Sequence, residues 1–440
     1  MRPRKPPSIA PPKASIKSLS HDGRGITRCD GKTVFITGAL PGEEVLFEYQ
    51  KKRGSFDEAI ATSILTPSPE RQKPKCSHFG ICGGCSLQHL STEGQREHKQ
   101  KVLLELLKYQ AHAEPQELLP PITANAWGYR NKARLGVRYV AGKNKVLVGF
   151  REKNTRYLTD LVRCEILHPS VGEHLSDLSA LLYQLETRDQ IAQIEIAVDE
   201  TDTALIIRHL TALPNNDIEK LMTFAQQFHF KLYLQPEGID SIHLINPANA
   251  NELMRYSITH ENIELFYHPV QFTQINPVVN QQMIALAIEL LALEPTDTVL
   301  DLFCGIGNFT LPIARHVLSI VGVEGDASAI QQAIHNSHHN KIVTSEFYCE
   351  NLFSPPFNPH WARRQYAKLL LDPPRAGAKE VIERLSVWQP RAIVYISCNP
   401  TTLARDTGLL LKQGYKLMKA GIIDMFPHTQ HAEAIALFKK

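Results

Sequence analysis

"VLDLFCGIGNFTLPIA", residues 299–314, decides the fold: an apolar strand runs into a glycine-bearing turn and then into a helix. Such a turn lets backbone and ligand approach closely at the carboxyl end of a strand. Downstream, "SIVGVEG", "EFYCEN", "AKLLLDPP" and "RAIVYISC" repeat the apolar-strand pattern, and helical stretches plainly flank all of these except "AKLLLDPP". Strands alternating with helices predict a mostly parallel, doubly wound α/β sheet from about residue 262 onward. The last two apolar segments, "YKLMKAGIID" and "AEAIALFKK", lie so close in sequence that they should pair antiparallel.

The turn reads Gly305, Ile306, Gly307, Asn308 and lacks the third glycine of a G-x-G-x-x-G dinucleotide loop, which favours S-adenosylmethionine over NAD. Glu324 ends the second strand about twenty residues later, where a carboxylate can bind both hydroxyls of a ribose. Asn351, in "CEN", and Asp372, in "LLLDPPR", end the third and fourth strands at the same rim. There an amide or a carboxylate can reach the adenine or the methionine amine.

"YISCNPTTLARD", residues 395–406, places Cys398 at the end of the fifth strand, on the cofactor's side of the sheet. A thiolate there can do what uracil cannot do alone: adding to C6 produces an enolate with electron density at C5, ready to accept a methyl group. The C5 proton must then leave before the thiolate is expelled, and Glu433, in "PHTQHAEAIALF", is the candidate general base. A helix is expected from about Thr402, and a helix N-terminus can lower a thiol pKa and favour thiolate. Cys304 and Cys349, inside apolar strand stretches, read as structural cysteines.

Upstream the pattern is different. Short alternating segments between Ser15 and Thr66, separated by turns such as "HDGRG" and "ALPGEE", predict a small β-barrel, and "TPSPERQKP" reads as a linker. Cys76, Cys82 and Cys85, spaced C-x5-C-x2-C in "CSHFGICGGC", with Cys164 as a distant fourth, suit an iron–sulfur cluster better than zinc, which usually takes two close pairs. Residues 125–262 read as antiparallel strands with helical insertions. From Trp127 to Pro169 ten Lys/Arg face three Asp/Glu, interleaved with aromatics, a composition that suits RNA. Residues 1–53 carry eleven Lys/Arg against five Asp/Glu, which also favours a polyanion, although the net charge of the 440-residue chain is only +3.

No apolar run approaches the roughly 20 residues that cross a bilayer, and the start, "MRPRKPPSIAPPK", lacks the apolar core of a secretory signal. A cytoplasmic enzyme with no membrane partner is expected. The length predicts two or three domains, since single cores stop growing at roughly 250–300 residues.

"DLFCGIGNFTLPIA", "LLLDPPRAG", "YISCNPTTLARD" and "PHTQHAEAIALF" together resemble the successive motifs of the RNA uracil-C5 methyltransferase family. The resemblance implies Cys398 as nucleophile, Glu433 as base, and cofactor contacts at Gln274 (in "VQFTQINP"), Phe303, Asn308, Glu324, Asn351 and Asp372. The stretch "SLSHDGRGITRCDGKTVFITGALPGEEV" resembles the TRAM domain, an OB-like RNA-binding barrel. Cluster cysteines and a TRAM-like barrel together resemble the branch acting on uridine 1939 of 23S rRNA, which implies a [4Fe-4S] cluster on Cys76, Cys82, Cys85 and Cys164.

The expected organisation is a basic flexible tail over 1–12, a TRAM barrel over 13–67, a central α+β iron–sulfur domain over 68–261, and a Rossmann-like S-adenosylmethionine-dependent methyltransferase domain over 262–440. The substrate would be a uridine flipped out of 23S rRNA, and a monomer is expected. A tRNA uracil-C5 methyltransferase and an inactive RNA-binding protein of the same fold are the alternatives. A radical methylthiotransferase is disfavoured, because its cluster spacing is C-x3-C-x2-C. An amino-methyltransferase is disfavoured because Arg375, not an aromatic residue, follows "DPP".

Overall fold

A computed structural model describes residues 11–247 and 251–440, so all but the end of the expected basic tail lies outside the described residues. The chain divides into two compact units, residues 1–99 with 428–430, and residues 100–427 with 431–440.

In the first unit, β1 (Lys13–Ser15), β2 (Ser18–Leu19), β3 (Gly25–Cys29), β4 (Lys32–Thr37), β5 (Glu44–Lys52) and β6 (Phe56–Thr66) form one sheet in the order β1-β5-β6-β4-β3-β2. Its pairs are antiparallel except β4 with β6. Alternation of side chains turns Val34, Ile36, Val45, Phe47 and Ala59 into a common core. Burial opposes ionisation of Glu43, but the Arg71 guanidinium and the N–H groups of Leu40 and Ser68 outweigh it and hold the carboxyl below its usual range. The unit runs past the expected boundary at 67 because Arg71 donates back to Gly38 O (2.7 Å) and Glu43 Oε2 (2.8 Å), while Arg71 is itself bridged to Leu90 and Ser91 N donates to Glu70 O at 2.8 Å.

The first strand of the second unit is β7 (Glu117–Leu118). Next come β8 (Lys132–Val140), β9 (Lys145–Gly149), β10 (Ile191–Val198), β11 (Thr203–His209), β12 (Phe230–Gln235) and β13 (His243–Asn246), in the order β13-β12-β11-β10-β8-β9. An all-antiparallel reading fails at one place. β11 and β12 pair parallel, because the helix Asn215–Gln227 returns the chain to the same end of the sheet before β12 begins. A hairpin follows, β14 (Met254–Ile258) with β15 (Ile263–Tyr267).

The remaining strands are β16 (Thr298–Leu302), β17 (Ser319–Glu324), β18 (Ser345–Cys349), β19 (Lys368–Leu371), β20 (Ala392–Ser397), β21 (Lys416–Ile423) and β22 (Glu433–Lys439). They form an eight-stranded sheet with β7, ordered β18-β17-β16-β19-β20-β22-β21-β7. The first five are parallel, and β22 runs antiparallel to both neighbours, as the closing segments predicted.

Both faces of this sheet are apolar, which is what double winding requires. Leu300, Leu302, Leu369, Leu371, Ile393 and Tyr395 pack on one side with Leu103, Leu385 and Leu403. Val299, Leu370, Val394 and Ile396 pack on the other with Met283, Ala287 and Leu311. No compact-unit boundary falls at 261/262: Asn336 Nδ2 donates to Phe266 O (3.1 Å) and Asn340 Nδ2 to Glu264 O (2.7 Å), tying the hairpin to the helix Ala327–His339. No described helix is long and apolar enough to cross a membrane.

Candidate active site

The carboxyl ends of the five parallel strands make one rim, and Phe303, Glu324, Asn351, Asp372 and Cys398 follow or end those strands there. After β16 the chain turns sharply, with positive φ at Phe303 (68°), Gly305 (53°) and Gly307 (94°). Phe303 is the unusual one, since a bulky residue is rarely held in the left-handed region. Its N–H and that of Cys304 both donate to Val323 O, at 2.9 and 3.1 Å, which folds the loop over the end of β17.

Glu324 is fixed there by three backbone donors. Gly305 N reaches Oε2 at 3.2 Å, while Gly325 N and Asp326 N reach Oε1 at 2.6 and 3.1 Å. Its carboxylate is thereby presented in one orientation to a ligand. Asn351 instead caps its own turn, accepting from Phe353 N at 3.0 Å. Asn308 is engaged with Tyr256 and Asn280. Gln274 lines a cavity of about 150 Å³ with Tyr256, Thr273 and Asn280.

Three carboxylates meet under the loop. Burial, then the neighbouring Asp301 and Glu324, push Asp372 up to about 7. Burial likewise pushes Asp301 up to about 7, against the opposing hydrogen bond from Thr310 Oγ1. Asp301 is fully buried, and its Oδ1 has no hydrogen-bond partner among the described residues. Concentrated negative potential of this kind suits a cationic ligand.

Cys398 follows β20 at a strand-to-helix elbow. Asn399 N donates to Ser397 Oγ (3.1 Å), and the Asn399 side chain caps the helix Pro400–Lys412 by accepting from Thr401 N (3.1 Å). Proline at the first helical position costs no hydrogen bond there. Ser397 pairs with Ala434 across the antiparallel β20–β22 ladder, so one further step brings Cys398 and Glu433 to the same edge. Glu433 is buried.

The nearby helix N-terminus does not leave the thiol depressed. Burial, then the carboxylates of Glu433 and Asp372, push Cys398 up to about 11, and Arg375 opposes them only in part. A helix end contributes roughly half a charge, which burial and two neighbouring carboxyl groups together outweigh.

Arg375 is held beside the nucleophile by its own carbonyl, which accepts from Asn399 Nδ2 (3.1 Å) and Thr402 Oγ1 (3.3 Å). A residue that the sequence reading passed over organises this region. Asp406, fully buried, accepts from Tyr395 Oη (2.7 Å), Ala378 N (2.8 Å) and Arg405 Nε (2.8 Å). It pins the loop after β19 to the helix after Cys398. The signal was present: Leu403, Asp406, Thr407 and Leu410 share the buried face of one helix, and a carboxylate on such a face needs buried donors.

The cysteines expected to hold a cluster are divided between the units. In the first, the loop is compact: Phe79 N donates to Cys76 O (3.1 Å), Cys82 N to His78 O (2.9 Å) and Gly84 N to Cys82 Sγ (3.4 Å). In the second, Cys164 N donates to Gly172 O at 2.8 Å. Among the described residues no group of three or more His, Cys, Asp or Glu side chains is gathered so as to hold a metal ion.

The family model described as tRNA (Uracil-5-)-methyltransferase matches residues 192–349 and 360–440. The 23S rRNA (uracil(1939)-C(5))-methyltransferase RlmD of Francisella tularensis subsp. novicida (strain U112) is 48% identical over 433 residues, 97% of this chain and 96% of the relative. That of Nitrosococcus oceani is 47% identical over 440 residues, covering 99% and 98%. Among solved structures, Pyrococcus abyssi tRNA (uracil-54, C5)-methyltransferase in complex with S-adenosyl-L-homocysteine shares the fold, with a TM-score of 0.75 and 23% identity over 97% of this chain and all of that one.

Proposed function

The chain belongs to the tRNA (Uracil-5-)-methyltransferase family, and on that premise we propose that it methylates C5 of a uridine in 23S rRNA, position 1939 as its relatives are named. One observation carries the reading: Cys398 and Glu433 stand at one edge of the sheet, on the rim where the glycine-bearing loop and Glu324 lie.

Gln274, Phe303, Asn308, Glu324, Asn351 and Asp372 would hold S-adenosylmethionine, which supplies an electrophilic methyl group when bound. Cys398 then works on the base. Its sulfur bonds to C6, the C5–C6 π electrons shift to give an enolate, and C5 becomes the nucleophile. Glu433 takes the C5 proton after transfer, and the electrons left behind expel Cys398 from C6. Because the thiol is pushed up to about 11, Cys398 rests protonated at neutral pH and needs a proton acceptor before it adds. Both ring faces must be reachable, so the uridine is flipped out of its stack.

The sheet over residues 13–66 is the RNA-capturing TRAM-like barrel in this proposal. Cations over rings on its strands, Lys52 on Tyr49 (4.7 Å) and Arg24 on Phe35 (4.8 Å), support that role. Residues 68–261 shape the RNA and 262–440 carry the transfer. The [4Fe-4S] cluster on Cys76, Cys82, Cys85 and Cys164 stays a proposal that rests on spacing and on the Gly84 N–H at Cys82 Sγ, a donor that steadies a ligand thiolate. Iron and acid-labile sulfide analysis of anaerobically purified protein tests it.

The function is tested with 23S rRNA fragments carrying 5-fluorouridine, in the presence of S-adenosylmethionine. Fluorine cannot leave as a proton, so a covalent protein–RNA adduct should persist with the wild type and be absent with Cys398→Ala. An adduct formed on tRNA but not on 23S rRNA would move the assignment to the tRNA alternative.

A further inference from the structure

Asn308 sits in a hydrogen-bond arrangement made by three separate elements. Asn280, on the helix Pro277–Leu291 and 4% exposed, faces it through two reciprocal bonds, each Nδ2 donating to the other's Oδ1 at 3.0 Å. Tyr256, from β14, donates its hydroxyl to Asn308 Oδ1 at 2.8 Å, the hydroxyl's one hydrogen bond among the described residues.

Two facing carboxamides could turn over together, oxygen for nitrogen, and stay satisfied. Tyr256 removes that freedom. Burial pushes its phenol upward, so the hydroxyl keeps its proton and needs an acceptor. A turned amide would offer it another N–H and leave the phenolic proton without a partner. Asn308 Oδ1 is therefore spent on two donors, and one Nδ2 hydrogen is spent on Asn280. What Asn308 keeps for a ligand is a single N–H.

The methionyl end of S-adenosylmethionine offers a carboxylate, which accepts, and an ammonium, which only donates. Of these two groups, a lone N–H can serve only the carboxylate. We propose that Tyr256 and Asn280 are positioning residues that lock the Asn308 carboxamide as a donor to the methionyl carboxylate of the cofactor. This rests on the cofactor reading above and adds to it the polarity of one contact and the two residues that set it. Tyr256 and Asn280 also wall the cavity of about 150 Å³ that Gln274 lines, so the lock borders open space and trimming one hydroxyl should leave the packed core intact.

The test compares calorimetric binding of S-adenosylmethionine with that of its decarboxylated analogue, which keeps the sulfonium and the ammonium, using the full chain. Tyr256→Phe should weaken S-adenosylmethionine about tenfold and leave the analogue within about twofold, as expected when a bond to a charged group is lost. In turnover, the cofactor KM should rise with kcat at saturation unchanged. Asn280→Ala should shift the preference in the same direction, and the double variant should add little, because both act through one amide. An unchanged preference in both variants overturns the lock, as does equal weakening of the two ligands, which would mark a merely structural role. If the wild type binds neither ligand, the cofactor reading itself fails, and the inference falls with it.

Discussion

Replacing Glu433 with glutamine should speed the attack of Cys398 while stopping the reaction from finishing. With its thiol at about 11, Cys398 is ionised to about one part in a thousand at pH 8. Burial is the largest cause of that position, and the Glu433 charge is the next. Removing the charge leaves the burial in place, so the titration midpoint should fall without returning to the value of an exposed cysteine. Each unit of fall multiplies the thiolate fraction about tenfold.

The assay is iodoacetamide alkylation against pH, followed on the Cys398 peptide by mass spectrometry so that the other seven cysteines do not contribute. Turnover should drop by about 100- to 10,000-fold, the usual contribution of a general base. On natural uridine, the methylated covalent intermediate should accumulate, because the C5 proton has nowhere to go. A midpoint that stays put or rises in Glu433→Gln would refute the electrostatic account of the thiol. A fall in turnover without accumulated adduct would refute the assignment of Glu433 as base.

Two further outcomes follow from buried carboxylates. Asp406→Ala strips the partner from Tyr395 Oη, Ala378 N and Arg405 and should cost about 3–5 kcal/mol of stability, read as a lowered urea midpoint, with Cys398 reactivity lost as the elbow loosens. Asp301 has a folded pKa near 7 against an unfolded value near 4, so between those values the native state holds the extra proton. Stability should fall as pH rises through about 4 to 7, by up to about 1.4 kcal/mol per unit for this group, and Asp301→Asn should flatten that slope in urea unfolding curves.

The doubly wound sheet was legible because period-two apolar runs and glycine-bearing turns are local signals, and strand ends follow from them. Glu324, Asp372 and Cys398 could therefore be placed on one rim without a structure. Glu433 was placed too, since closely spaced closing strands must pair antiparallel. What escaped was set by residues far apart in the chain. The thiol pKa depends on charges that arrive from β19 and β22, so a helix end read locally does not give its direction. The lock on Asn308 joins residues 256, 280 and 308, none of which carries a local mark of pairing. The edge strand Glu117–Leu118 is two residues long, too short for any periodicity to show. The parallel pairing of β11 with β12 depended on which end of the sheet an intervening helix reaches, which side-chain alternation does not encode.

The reversed direction of β22 has a practical corollary. Because that strand starts at the rim with Glu433 and runs away from it, Lys439 pairs with Ala392 at the opposite edge of the sheet. A fluorophore or surface tether attached to the exposed Lys439 side chain would therefore sit at the end of the sheet facing away from the reacting base, out of the way of the chemistry.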